Sequence, residues 1–99
     1  MDRLAVFVLR GAPERQVLVL SDPPIADSGT VIAAPLFHVD TFPIATVINP
    51  VVEIAGQSLA LATEQMAAIS VKSLGKQVAT CTEHEYAIAN AINRLFFGI

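Results

Sequence analysis

The side chains that could perform acid–base, nucleophilic or metal chemistry are few in this chain and are scattered along it. Neither His38 nor His84 lies in a cluster of cysteine, aspartate or glutamate residues with metal-ligand spacing. We expect His84 to face solvent in the first turn of a helix. Cys81, the only cysteine, has no local partner that would mark it as a nucleophile, and we expect it to be a small buried residue.

The carboxylates and glycines also lack a pattern that would indicate catalysis or cofactor binding. Several carboxylates stand alone, with no spacing typical of an acid–base pair: Asp22, Asp27, Asp40, Glu53 and Glu64. The glycines never form a phosphate-binding loop. The sequence therefore predicts a protein that is not an enzyme and that binds neither a cofactor nor a metal.

The carboxyl terminus, in contrast, carries residue types that are unusual at a chain end. The last ten residues read "NAINRLFFGI", although chain ends usually fray in water. Aromatic side chains are typical anchors of protein interfaces. The chemistry that this stretch indicates is therefore recognition of a partner, and the preceding elements must hold the stretch in position.

A helix from about Glu83 to Phe96 is predicted just before the end of the chain. Its apolar residues recur at helical spacing and form a single stripe that should face the core: Ile88, Ala91, Ile92, Leu95 and Phe96. Thr82 and Glu85 fit a capping box, because their side chains can each accept a hydrogen bond from a free backbone N–H of the first turn.

Phe97 falls outside this stripe. At about 100° per residue it lies on the outer side of the helix, with Tyr86, Asn90 and Asn93. Two conformations remain open. In one, the helix frays after Leu95 and Phe97 folds back onto the sheet. In the other, Phe97 stays exposed and forgoes roughly 1.5–3 kcal/mol of burial unless a partner covers it.

For the rest of the chain, the sequence predicts mainly short strands. Leu4 to Arg10 and Gln16 to Leu20 predict a hairpin with a loop of about four residues, and "VINPVVEI" and "QSLALAT" predict a second hairpin through Ala55-Gly56. The strand "QSLALAT" is expected to be half-buried, with one face of small residues. "SDPPIADSG" is predicted to be a loop, "EQMAA" a helical turn, and Pro35 indicates an edge strand or a bulge. Strands followed by one helix predict a small β-barrel or strongly bent sheet.

Length and composition narrow the class of protein further. Ninety-nine residues predict a single domain, 1–99, and the apolar fraction of 54% favours a homo-oligomer or an apolar binding face. The net charge of -3 and the scattered basic residues argue against direct binding of nucleic acid. Polar residues interrupt the apolar stretch 51–71, so no membrane span is expected. The lone cysteine and the absence of a signal peptide pattern favour the cytoplasm.

The second half of the chain contains residues that match one family pattern. They are Pro50-Val51-Val52 with Ile54, Thr63 with Met66-Ala67, Gly75 with Val78-Ala79, Glu85, Ile88, Asn90-Ala91-Ile92-Asn93, Phe96 and Gly98-Ile99. Through them, residues 49–99 resemble, without a gap, the CcdB family, the toxins of bacterial plasmid and chromosomal toxin–antitoxin modules. The first half is similar more loosely, at Ser21-Asp22 and Pro35-Leu36.

The resemblance implies an SH3-like β-barrel of the CcdB type, a homodimer and a long C-terminal helix. Toxins of the family bind the A subunit of DNA gyrase, poison the enzyme on cleaved DNA, and are neutralised by a CcdA-like antitoxin through a disordered segment. Their last three residues carry toxicity, and the aromatic pair of the dimer stacks on arginine. Carried over, this implies that Phe97, Gly98, Ile99 and Asn93 bind gyrase.

Three features depart from the family pattern. Phe97 stands where the family usually has a tryptophan, and Arg94 stands where the family has a leucine beside the tip. Pro23 and Pro24 stand where the family has isoleucines. Because tryptophan makes the better cation–π contact, the loss is of order 0.5–1 kcal/mol per site. The alternative function is a CcdB-fold protein with weak or lost gyrase activity that binds an antitoxin or regulates its operon. A third possible function is that of a small structural subunit in a larger assembly.

Overall fold

In the part of the chain that the structure describes, residues 1–45 and 47–99, seven β-strands precede one α-helix. In this computed structural model the strands are β1 (Ala5–Leu9), β2 (Ala12–Val19), β3 (Thr30–His38), β4 (Val51–Ile54), β5 (Gln57–Leu61), β6 (Ala67–Ser70) and β7 (Leu74–Thr80), and the helix is α1 (Glu85–Phe97). Short 3₁₀ turns cover Pro23–Ser28, Thr63–Gln65, Val71–Ser73 and Thr82–His84. The prediction of a mainly β protein with a C-terminal helix is confirmed.

All strands belong to one antiparallel sheet in the order β4-β5-β3-β2-β1-β7, with β6 paired to β3 beside β5. Strand β3 is therefore central, and the expectation that Pro35 marks an edge is wrong. On one side, β3 pairs with β6 through residues 30–33 and with β5 through residues 36–38. Pro35 lies between these two stretches, where neither β6 nor β5 is paired with β3. The lack of a backbone N–H at this proline therefore costs no hydrogen bond to either strand.

The central strands of the sheet pack against two separate apolar clusters, one on each face. Most residues of β6 and β7, in contrast, are not buried. Val6 and Leu18 belong to the first cluster, whereas Phe7 and Val17 belong to the second. This explains the nearly continuous apolar runs in β1 and β2. It also corrects the expectation for β5, since Ala60 on its small-residue face is fully buried.

The two hairpins differ in how well the sequence predicted them. β4 and β5 are joined through Ala55-Gly56, as predicted, and both residues have positive φ, at 52° and 79°. That conformation is typical of the tight turns that match strand twist. The β1–β2 turn is shorter than predicted, because β2 already begins at Ala12. The predicted loop 21–29 is mostly a 3₁₀ turn, Pro23–Ser28.

Two buried polar side chains fix the segment that leads into β4. Asn49 accepts a hydrogen bond from the N–H of Ala45 at 2.9 Å and donates to the Leu61 carbonyl at 3.2 Å and the Glu64 carboxylate at 2.7 Å. Thr63 donates to the Ile48 carbonyl. These bonds tie the segment to the 3₁₀ turn Thr63–Gln65, which contacts α1. The helical turn predicted for "EQMAA" is correct only for Glu64 and Gln65, because Ala67 and Ala68 belong to β6.

No helix among the described residues is long and apolar enough to cross a bilayer.

Candidate functional site

The N-terminal end of α1 is fixed by contacts between distant residues and not by the predicted capping box. The 3₁₀ turn that starts at Thr82 precedes the helix, and no side chain caps either element. Glu85 instead pairs with Arg3, 82 residues earlier. His84, expected in solvent, is partly buried, and its Nε2 accepts a hydrogen bond from the Glu53 N–H at 3.4 Å. This bond links the 3₁₀ turn before the helix to the edge strand β4.

The burial of the apolar stripe decreases steadily toward the C-terminal end of α1. Ile88 and Ala91 are buried, Ile92 and Leu95 are partly buried, and Phe96 is 60% exposed. The prediction that Phe96 faces the core is therefore wrong. The stripe has the predicted phase, but the helix projects beyond the core that would cover its last residue.

The end of the helix presents a tail patch, formed by Phe96, Phe97 and Ile99. Phe97 is 70% exposed and Ile99 is 86% exposed, so the folded-back conformation of Phe97 does not occur. The rings of Phe96 and Phe97 are tilted by 49°, with centroids 6.3 Å apart. Adjacent aromatic faces of this kind offer a broad apolar contact surface to a partner.

Gly98 gives this patch its shape. It ends the helix in the left-handed region, with φ at 71°, and its N–H donates to the Arg94 carbonyl at 3.1 Å. A side chain at this position would meet no other atom within 4 Å, so the requirement for glycine is conformational and not steric. Because this left-handed turn ends the helix, Ile99 does not continue the helical path.

The outer side of α1 leads into the tail patch. Asn93 lies one helical turn before Phe97, and the residues predicted on this side are all exposed: Tyr86, Asn90, Asn93 and Phe97. Arg94 is also exposed and supplies a positive charge in the last turn, where the helix dipole favours it. The structure therefore brings together all four residues that the sequence analysis assigned to the site, and adds Phe96.

The residues considered for other chemistry lie apart from the tail patch. Burial, and to a smaller extent the Glu83 carboxylate, raise the pKa of the Cys81 thiol from 9.0 to about 11. Cys81 is completely buried, as predicted. His38 is exposed at the end of β3. Within the described residues, no three histidine, cysteine or acidic side chains are close enough to hold a metal ion.

A comparison with known families matches residues 12–98 to the CcdB protein family. The chain belongs to the CcdB family. The matched region covers the sheet from β2 onward, α1 and all of the tail patch except Ile99. Family membership supports a toxin of a toxin–antitoxin module as the class of protein.

The fold of this CcdB-family chain is also similar to that of a solved toxin structure. Mycobacterium tuberculosis toxin MazF-mt6 superposes with a TM-score of 0.76 at 21% sequence identity, over 95% of this chain and 96% of that chain. At this identity the similarity concerns the fold. It supports the bent antiparallel sheet with a terminal helix as the common framework of both chains.

Phe96 is the member of the tail patch that sequence reasoning missed in this CcdB-family protein. Periodicity places it correctly on the side of Ile88, but periodicity does not report how far the sheet extends beneath the helix. One signal was available in the sequence. Phe96 lies two turns beyond Ile88 and only two residues before the helix-ending Gly98, where cover by a core is least expected.

Proposed function

We propose that the protein is the toxin of a type II toxin–antitoxin system and that it binds the DNA gyrase A subunit through Phe97, Gly98, Ile99 and Asn93. On this proposal it poisons the gyrase–DNA complex and is neutralised by a CcdA-like antitoxin in the bacterial cytoplasm. The observation that carries the proposal is the 70% exposure of Phe97 beside a left-handed Gly98.

The energetics of the tail patch support a binding role. Leaving one phenylalanine in water forgoes roughly 1.5–3 kcal/mol, and this patch leaves two phenylalanines and Ile99 exposed. A partner that covers them would recover part of that free energy. An arginine of the partner could stack on the exposed face of Phe97, which would contribute roughly 0.5–1 kcal/mol or more once water is excluded.

We propose further that the active form is a homodimer of one domain, 1–99, with an SH3-like barrel. Other large apolar side chains are also exposed, among them Val51 on β4 and Val78 on β7. A second copy would cover part of this surface and bring two tail patches into one assembly. Sedimentation at micromolar protein should then show about twice the 10.5 kDa chain mass, and a monomer alone would contradict the dimer.

A second candidate function is supported by the residues that depart from the family pattern. Phe97 offers a smaller aromatic face than tryptophan, and the exposed Arg94 beside the patch would repel a cationic surface on gyrase. The protein would then bind an antitoxin or regulate its operon, with weak or no activity on gyrase.

Growth on induction separates the two functions. Expression of the chain should arrest cells with native gyrase and spare cells that carry a toxin-resistant gyrase A subunit. A variant that lacks residues 97–99 should be harmless in both strains while remaining folded, as judged by its circular dichroism spectrum. Normal growth of native cells producing the folded full-length chain would favour the second function. Arrest of both strains would exclude gyrase as the target.

A further inference from the structure

Three basic side chains that are distant in the sequence meet at one end of strands β1 and β7. Arg10 is at least 62 residues away from Lys72 and Lys76, but its N–H donates to the Ser73 carbonyl at 2.9 Å. Lys72 directly precedes Ser73, and Lys76 follows it by three residues. At about 3.4 Å per strand residue, the three backbones therefore lie within roughly 10 Å of Ser73. We call Arg10, Lys72 and Lys76 the basic corner.

A bulge in β7 carries one of these cations. The single residue Val8 of β1 lies opposite two residues of β7, Gly75 and Lys76, between two paired positions. A Cβ on residue 75 would lie 3.0 Å from the Val8 carbonyl oxygen, so glycine allows the two backbones to approach this closely. Strand β7 is an edge strand, and bulges locally bend such edges. Lys76 is thus an exposed cation on a bent sheet edge.

The charges of the basic corner are not neutralised by neighbouring side chains. All three cations are exposed, and none forms an ion pair with a carboxylate in the ranges 1–45 and 47–99. Residues 4–13 and 65–82, which include β1, β6 and β7, contain no aspartate or glutamate. The chain as a whole carries -3, but exposed charges more than about 8 Å apart are largely screened at physiological ionic strength. The local charge of the corner is therefore positive.

We infer that the basic corner contacts the phosphate backbone of duplex DNA. A duplex carries one negative charge per about 1.7 Å of its axis, so a stretch of about 10 Å presents about six phosphates to the three cations. Single-stranded nucleic acid is usually bound on exposed aromatic side chains. Phe7, the one aromatic residue in 4–13 and 65–82, is buried, so a duplex is the better match. Contacts to phosphate alone carry no sequence preference.

The inference adds a contact that the tail patch does not provide. The scatter of basic residues along the sequence argued against direct binding of nucleic acid, whereas folding brings half of those residues together. The basic corner shares no residue with the tail patch, so the inference does not depend on gyrase binding. It can be tested with DNA alone.

The test measures binding of the full-length protein to a fluorescein-labelled duplex of about 20 base pairs by fluorescence anisotropy, without gyrase. Three phosphate contacts predict a slope of about -2.7 for log affinity against log salt concentration, which is a loss of about 40-fold between about 50 and 200 mM salt. Lys76→Gln should reduce the slope to about -1.8 and the loss to about 12-fold. Arg94→Gln is the matched control, because it removes one charge from the last turn of α1 and should keep the loss of about 40-fold.

Four results would overturn the inference. They include the absence of saturable binding at about 50 mM salt, and equal salt dependence of the two variants. Competition by a polyglutamate peptide as effective as that by unlabelled duplex with the same number of charges would identify an acidic polypeptide as the occupant. Lysines on edge strands can also serve to prevent pairing between copies. If Lys76→Gln self-associates in sedimentation but binds the duplex like the wild type, the corner has that protective role instead.

Discussion

The N–H of Gly98 donates to the carbonyl of Arg94 at 3.1 Å while Gly98 itself adopts a left-handed conformation with φ at 71°. This single residue ends α1 and sets the direction in which Ile99 leaves the helix. The same backbone region is used by Gly56, at φ 79°, in the hairpin between β4 and β5. A side chain at either glycine would have open space around it.

These two glycines allow a direct comparison of conformational cost. Gly56→Ala should lower the free energy of unfolding by roughly 1–2 kcal/mol, because the hairpin holds the residue in the left-handed region. Gly98→Ala should lower it by less, since a chain end can relax, but it should weaken partner binding by displacing Ile99. Urea denaturation of both variants measures the difference. Equal losses of stability would show that the tail is held as rigidly as the hairpin.

Phe97→Trp tests the proposed role of the tail patch. The exposed position accommodates the larger ring, so the melting temperature should change little. Gyrase affinity should rise by about 0.5–1 kcal/mol per site, because an indole is the better cation–π partner. Calorimetric titration into the purified gyrase A subunit measures the change. Reduced melting without a gain in affinity would identify Phe97 as a packing residue, in a dimer interface for example.

The phase of α1 can be tested with a pair of substitutions on opposite sides. Ile92→Asp should destabilise the protein by at least about 2 kcal/mol, because Ile92 packs against the buried cluster and the new carboxylate would have no partner there. Asn90→Asp, on the exposed side, should have an effect within about 0.5 kcal/mol. Similar thermal midpoints for the two variants would show that the helix is rotated.

Asn49→Ala tests the polar anchor before β4. The substitution would leave the N–H of Ala45 and the carbonyl of Leu61 without their partner, so we expect a loss of at least about 2 kcal/mol. Asn90→Ala is the matched control, since this exposed asparagine lies in the helix and alanine is favourable there. A loss for Asn49→Ala no greater than for the control would mean that water satisfies these groups.

Cys81 should make stability depend on pH in the alkaline range. Burial raises the pKa of its thiol to about 11, above the ordinary value of 9.0. The unfolded chain therefore loses this proton first, so stability falls as pH rises from about 9 toward 11. The contribution is of order 2 kcal/mol between about pH 8 and pH 10.5. It is measured as the difference in pH dependence between the wild type and Cys81→Ala, and parallel curves would contradict it.

Several features of the fold follow from local sequence. The turn at Ala55-Gly56, the C-terminal helix and the outer position of Phe97 were all predicted and are confirmed, because backbone preference and a 3.6-residue period act over a few neighbouring residues. Family resemblance extended the prediction to the gyrase-binding role of the tail, which stays a prediction.

Other features depend on contacts between residues that are distant in the chain. Thr82 and Glu85 have the spacing of a capping box, yet Glu85 forms an ion pair with Arg3. A pattern of neighbouring residues cannot predict this pair, because the two residues are far apart in the chain. Proline is typical of an edge strand, but Pro35 lies in the central strand β3. It occupies the point at which β5 succeeds β6 as the neighbouring strand.

The amino-acid sequence by itself determined that the chain forms strands and then an amphipathic helix, and which residues share a face. Only the tertiary structure decided that Phe96 is exposed and Ile88 buried, although both lie on that face. The physical reason is that periodicity specifies the direction of a side chain, whereas burial requires another element beneath it. The sheet and its turns cover the first half of α1, and the helix extends beyond them into solvent.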